Sequence, residues 1–237
     1  MWLIAEYQPV TLFSFRSGIA TSSGAKTLFL PTPFAIRMAL LDAAIRTKGF
    51  EVGESAFNLI KTIPIAVQLP KRIVVTNLFT KVLKPTRKED AKERMDRTIS
   101  FREYAYFKGS FMLGLELSDE DIDTVSFLLM QINYFGKRGS FFQLIPPLKK
   151  EKSLSEDFIL LDGAYIEDSK IKNEWQNSFK VGLIQIMDEW GEDLTFEKVN
   201  IYSEEKIELH KERLRKNIIL PYRLMRSSKS FSYYERI

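Results

Sequence analysis

The residues best equipped for chemistry in this sequence are cations set among small and aromatic side chains. Arg16, Ser22, Ser23 and Lys26 share the stretch RSGIATSSGAK, just ahead of a helix start at Thr32 and Pro33. Helix starts attract phosphate because their N–H groups are unpaired and the dipole is positive there. Lys137 and Arg138 lie between Gly136 and Gly139 and are followed by Ser140. Glycines let a backbone approach a ligand closely, and adjacent cations neutralise phosphate. The span from Lys71 to Lys108 carries eleven cations, Arg97 and Arg102 among them, against five acids. A basic hairpin of that kind wraps a single strand. Each group also has a plainer reading: a flexible connection, a chance turn, or a solvated charged face. Arg37, one turn into the first helix, joins the candidates, although an arginine there is ordinarily solvated or ion-paired.

Bond-making chemistry is poorly provided for. Cysteine is absent and His210 is the single histidine, which removes thiolate chemistry and disfavours zinc or histidine-dyad sites. There is no phosphate-binding GxxxxGK[ST], no dinucleotide fingerprint, no nucleophile elbow and no paired-histidine metal signature. We expect no catalytic residue, no metal and no cofactor. His210, in EKIELHKERLRK, reads as an exposed residue on a helical face.

The elements that must position the cations follow from patterning. Residues 2–15, WLIAEYQPVTLFSF, form an opening strand. Thr32 caps and Pro33 opens a helix closed by Gly49, with Phe34, Met38, Leu41 and Ile45 facing inward and Arg37 left to one side. A short helix over 54–62 precedes the strand-like runs IAVQL and RIVVTNLFTKVL. The mixed-charge segment KPTRKEDAKERMDR, 84–97, reads as solvated and mobile. TISFREYAYF and SFMLGLEL then resemble a hairpin or one bent strand. Ser118, followed by three acids, starts a helix running to about Asn133. YFGKRGSFFQLI gives a glycine-bracketed loop and an aromatic strand that Pro146 and Pro147 end. Strand, helix, strand, strand, helix, strand is the ferredoxin-like order. Beyond Lys149 the pattern predicts a strand at DFILL, an amphipathic segment at EWQNSFKVGLIQIMDEW, a strand at KVNIY, and a close, NIILPYRLMRSSKSFSYYERI, that returns as strands to the main sheet.

The length of 237 residues allows one large domain or one domain with an appended subdomain. With 45% hydrophobic and 28% charged residues the chain can bury a core and carry a polar surface, which excludes intrinsic disorder. No apolar run is long enough to span a bilayer, and the start lacks a basic leader. The sequence therefore reads as a soluble, cytoplasmic protein with no membrane partner. A net charge of +4 is a modest excess whose weight depends on where it lies.

The opening YQPVTLFSFRSGIATSSGAKTLFLPTPFAIRMALLDAA, the basic segment ending TISFREYAYF and the loop YFGKRGSFF together resemble the Cas-five family of CRISPR-associated proteins, nearest to its subtype I-A branch. The resemblance covers most of the first 145 residues, with an echo in the closing ILPYRLMRSSKSFSYYERI. It implies an α+β, RRM-like ferredoxin fold of the RAMP superfamily, with a thumb-like insertion and an additional C-terminal β-rich portion. The domain covers residues 1–148 with the thumb at about 75–106, and residues 149–237 form a C-terminal subdomain packed on it. The resemblance puts the RNA-facing surface near Arg16, Lys26, Arg37, Lys137 and Arg138.

The resemblance further implies a non-catalytic subunit of a type I Cascade surveillance complex that caps the 5′ handle of the CRISPR RNA in antiviral defence. Its partners would be the CRISPR RNA, Cas-seven-type backbone subunits, a large Cascade subunit and, indirectly, target DNA. One branch of the family, subtype I-C, cuts precursor RNA with tyrosine, lysine and histidine, but His210 does not align with that histidine. The competing reading is a metal-independent endoribonuclease using Tyr134, Lys137 or His210. A third is a ferredoxin-like protein with no nucleic-acid partner.

Overall fold

The computed structural model describes residues 1–21, 23–86, 94–161, 182–200 and 203–237. Strand β1 (Trp2–Pro9) lies between β8 and β9 in a five-stranded antiparallel sheet ordered β10-β5-β8-β1-β9, made with β5 (Ile65–Gln68), β8 (Phe111–Glu116), β9 (Phe142–Glu151) and β10 (Ile159–Leu160). Alternation along β1 sends Leu3, Ala5 and Tyr7 into the main core, while Ile4 faces a smaller cluster with Ala66 and Phe158. The Tyr7 hydroxyl, buried and pushed above its ordinary pKa by desolvation, donates to Leu129 O at 2.6 Å.

Helix α1 (Pro33–Lys48) forms where its sequence requires. Thr32 Oγ1 accepts from Ala35 N at 3.1 Å, Pro33 occupies the first turn, and Gly49, at φ 94°, takes a conformation that side chains disfavour. Its buried arc is wider than the spacing predicts. Ile36, Leu40, Leu41, Ala43 and Ala44 are buried, whereas Phe34, Met38 and Ile45 pack at its margin. The helix is enclosed by α2 (Phe50–Thr62), α3 (Ile122–Gln131) and β11 (Leu183–Trp190), so the arc takes in Arg37 as well. Helix α3 begins one turn later than Ser118; that hydroxyl instead donates to the Asp121 carboxylate at 2.5 Å in the preceding turn.

A second sheet, ordered β13-β14-β6-β7-β3, is built on a long hairpin of β6 (Arg72–Pro85) and β7 (Met95–Tyr106), with β3 (Gly24–Ala25), β13 (Tyr222–Ser227) and β14 (Phe231–Arg236). The smaller pairs are β2 (Phe15–Arg16) with β4 (Thr27–Leu28), and β11 with β12 (Arg213–Leu220). A short helix, α4 (Phe196–Val199), follows β11.

Several expectations are corrected. Runs 98–107 and 110–117 do not form a hairpin or one strand: β7 and β8 enter different sheets. Within the charged segment, Lys84, Pro85 and Met95–Arg97 extend the hairpin strands, because each has a ladder partner; Arg87, Lys88 and Lys92 lie outside the described residues. Pro146 and Pro147 do not end β9, which runs on to Glu151; it is an edge strand, where a missing N–H costs no ladder bond. The described part of EWQNSFKVGLIQIMDEW is strand β11, and the described part of KVNIY belongs to α4 and its end rather than to a strand. The chain's close pairs with β6 in the second sheet, not with the β1 sheet. Among the described residues no helix is long and apolar enough to cross a membrane.

Candidate nucleic-acid interface

Strand β7 is the spine on which most of the predicted cations assemble. The 16–26 loop is stitched to it by β3, which pairs in parallel with Phe101 and Arg102, and by Phe101 N donating to Ser23 O at 2.7 Å. Within the loop, Ser17 N donates to Lys26 O at 3.0 Å, Arg16 Nη2 donates to Ala20 O at 3.0 Å, and Lys26 Nζ lies 2.5 Å from Glu103 Oε1 on β7. Further along the same edge the 136–140 loop closes over the strand. Phe13 bridges Ala105, Ser140 bonds to Ser14, and Lys137 Nζ stands 6.0 Å from the centroid of the Tyr104 ring. Gly136 at φ 62° and Gly139 at φ 95° make the two sharp bends that bring Lys137 and Arg138 outward.

Arg16, Ser23, Lys26, Arg97, Lys137 and Arg138 are all exposed, and Arg102 is partly so. Ser22 lies outside the described residues. Lys137 and Arg138 make no ion pair among the described residues. An edge of cations on a strand and two loops suits phosphates, and around it the β6–β7 hairpin offers exposed rings at Phe79 and Phe101, in edge contact at 5.2 Å between centroids.

Two candidates serve the fold instead. Arg37 is 5% exposed; its Nε donates to Glu189 Oε1 at 3.0 Å and its Nη1 to Ile60 O and Ile63 O at 2.5 and 2.9 Å. The helix is enclosed on both flanks, so its side chain is turned inward and spent. Ser140 is 2% exposed: its hydroxyl accepts from Ser14 N and donates to Ser14 O, both at 3.1 Å. It joins the loop to the opening segment rather than to a ligand.

His210 is not on a helix. It occupies a turn before β12 at φ 70°, and among the described residues no hydrogen bond joins it to Tyr134 or Lys137. The described residues hold no cluster of three or more histidine, cysteine, aspartate or glutamate side chains suited to a metal.

Patterning of the sequence missed the residues that fix the 16–26 loop from outside. Asp188, 4% exposed, sits so close over Gly18 that an added Cβ would lie 3.0 Å from its Oδ1. Arg213 and Arg215 hold that carboxylate at 2.5 and 3.9 Å, and Arg215 also donates to Gly18 O at 3.0 Å. Gln185 Oε1 accepts from Phe29 N at 3.0 Å just beyond the loop. Nothing in QIMDEW singled them out: Gln185, Asp188 and Glu189 recur at three- and four-residue spacing rather than in a strand's alternation.

The chain matches no family model. It is 31% identical over 136 residues to the CRISPR-associated protein Cas5 of Archaeoglobus fulgidus, a match covering 57% of this chain and 56% of that protein. The chain thus spans about half the length of the curated relative it matches. Two solved structures are similar at a TM-score of 0.39: a chain of a CRISPR RNA-guided surveillance complex, 17% identical over 60% of this chain and 59% of its own, and a CRISPR protein from Archaeoglobus fulgidus, 12% identical over 100% and 92%. A superposition that loose carries no argument about fold or site. The sequence match carries the relationship: this chain resembles the Cas5 family of CRISPR-associated proteins.

Proposed function

We propose that the chain is a non-catalytic RNA-binding subunit of a type I CRISPR surveillance complex, holding the 5′ handle of the guide RNA. The observation that carries this reading is the gathering of Arg16, Lys26, Arg97, Lys137 and Arg138 along β7 and its two flanking loops. Phosphate contacts set the register of a nucleic acid, and cations on one strand edge offer them in a row. The order β5-β8-β1-β9, with α1 and α2 on one crossover and α3 on the other, supports a ferredoxin-like RAMP unit. The β6–β7 hairpin, inserted between β5 and β8, is the counterpart of a thumb. Backbone subunits of the Cas-seven type and a large subunit would share the RNA, with target DNA engaged indirectly. The exposed aliphatic side chains of Leu83, Met95 and Ile99 near the hairpin's far end suit contact with such a neighbour.

The test is recovery of the tagged chain from its own host under native conditions, with sequencing of any RNA that accompanies it. A discrete population sharing one 5′ end, together with co-purifying proteins, supports the reading. No RNA, or a random mixture released by moderate salt, overturns it. Incubating the recovered protein with precursor repeat RNA in chelator tests the non-catalytic part: cleavage lost on replacing His210 or Tyr134 would make the protein an endoribonuclease.

A further inference from the structure

The second sheet carries a feature that the phosphate-binding edge does not use. Along its core side Ile73, Val75 and Ala105 are buried and Tyr234 packs against them. Side chains one position away must point to the opposite, outer face. The register there aligns Tyr233 with Val74 and Val74 with Tyr106, and in the next row Phe231 with Thr76 and Thr76 with Tyr104. Four aromatic rings from β14 and β7 therefore flank β6 on one face, two in each row. Tyr106 is 45% exposed and the other three are half-buried, so their edges are supported while ring surface stays open.

Cations frame these rings. Arg226 is opposite Tyr233, Arg102 is two positions from Tyr104 along β7, and Lys137 reaches the Tyr104 ring from the neighbouring loop. Arg72 is opposite Glu235, the carboxylate beside the rings, which pairs with Arg72 at 3.2 Å and accepts the Tyr233 hydroxyl. A protein-binding face would be depleted of charge at its centre. This one alternates open rings with positive charge, and its neighbouring carboxylate is already engaged.

We infer that the outer face of the β14-β6-β7 sheet is a stacking platform for the unpaired bases of single-stranded RNA, continuous with the cationic edge through Lys137 and Arg102. This rests on the RNA-binding reading above and adds to it a second mode of contact on a separate set of residues. Stacking takes place on base faces, which a duplex hides, so the platform selects single strands. It is sequence-tolerant and insensitive to salt compared with phosphate contacts, because a ring releases no counterions.

The experiment is a salt series of fluorescence anisotropy on the full chain with a fluorescein-labelled, mixed-sequence single-stranded RNA of about 12 nucleotides. Replacing Tyr106 and Tyr233 together by Leu is expected to weaken binding by about tenfold per ring at every salt concentration, leaving the salt slope unchanged. Replacing both by Phe restores most of the affinity. A fully paired competitor of the same length fails to displace the single strand. Equal binding by parent and Leu variant, with loss in the Lys137→Ala and Arg138→Ala variant, overturns the platform and leaves the RNA reading standing. Absence of RNA binding in the parent overturns both. A 2-aminopurine base in the same RNA is quenched on binding the parent if bases stack, and an unquenched base overturns the platform even where the Leu variant does not fold.

Discussion

Arg37 Nε donates to Glu189 Oε1 at 3.0 Å, joining α1 to β11 across 152 residues of sequence with both side chains almost wholly buried. The remaining acceptors around the pair are satisfied: Ile60 O and Ile63 O by Arg37, and Glu189 Oε1 also by Trp190 N at 2.7 Å. Removing one partner of such a pair leaves a buried charge without compensation, at a cost of about 3–5 kcal/mol. Arg37→Ala is therefore expected to shift the urea midpoint far toward lower denaturant. Arg37→Met combined with Glu189→Leu recovers part of that loss, since the charges leave together while Ile60 O, Ile63 O and Trp190 N lose their side-chain partners. A stable Arg37→Ala protein with weakened RNA binding would return Arg37 to the interface.

The pair also explains what was legible in the sequence. Helix α1 was readable from Thr32, Pro33 and Gly49, because its ends are fixed by local hydrogen bonding and backbone freedom. The order of strands and helices around β1 was readable from period alone. Arg37 was misplaced because a helix wheel records one inward face, and burial by β11 adds a second that only tertiary packing supplies. Strand β11 was not legible as a strand because Gln185, Asp188 and Glu189 break its alternation; each is bonded inside the fold to a residue more than twenty positions away. Lys137 and Arg138 were legible for the opposite reason: the bracketing glycines define their turn locally.

Ser140 illustrates how a candidate ligand contact and a structural bond predict different outcomes. Its hydroxyl is donor and acceptor to the backbone of Ser14, and both groups are buried. Ser140→Ala strands the Ser14 N–H away from water, at a cost of about 1–3 kcal/mol. Thermal and chemical melts are expected to register that loss, while the salt slope of RNA binding stays at the parent value. A flatter slope with unchanged stability would reverse the assignment.

Lys198 and Glu212 make a pH-dependent tie between α4 and the start of β12. Lys198 Nζ donates to Glu212 Oε1 at 2.6 Å and Glu208 N to Oε2 at 2.8 Å. The lysine hydrogen bond, helped by backbone N–H groups and opposed by desolvation, holds the Glu212 carboxyl at about 2 instead of 4.5. As pH falls, the unfolded chain takes up this proton first, so the stability contributed by Glu212 is full above about 4.5 and is lost by about pH 2. The same bond raises the Lys198 ammonium, so its contribution is full below the ordinary lysine value and fades as pH rises through the raised one. The stability difference between parent and Glu212→Gln is expected to be flat near neutrality and to shrink as pH drops through that acid window. A difference that stays constant down to pH 2 would show that the carboxylate is not held low.

Glu103 restrains the cation nearest the loop's exit, and its removal gives the prediction with the least intuitive sign. Its Oε1 lies 2.5 Å from Lys26 Nζ, and its Oε2 accepts from Thr27 N at 3.0 Å. The Lys26 side chain is 73% exposed, so the pair contributes little to stability, yet it neutralises a charge at the edge we propose for phosphate contact. Glu103→Gln keeps an acceptor for Thr27 N and frees the ammonium. Single-stranded RNA should then bind more tightly, with a salt slope steeper by about 0.7 if Lys26 takes up one further phosphate. Lys26→Ala in the Glu103→Gln background cancels the gain. If Glu103→Gln leaves both affinity and slope unchanged, the RNA does not pass Lys26, and the path along β7 is confined to Arg97, Arg102 and the 136–140 loop.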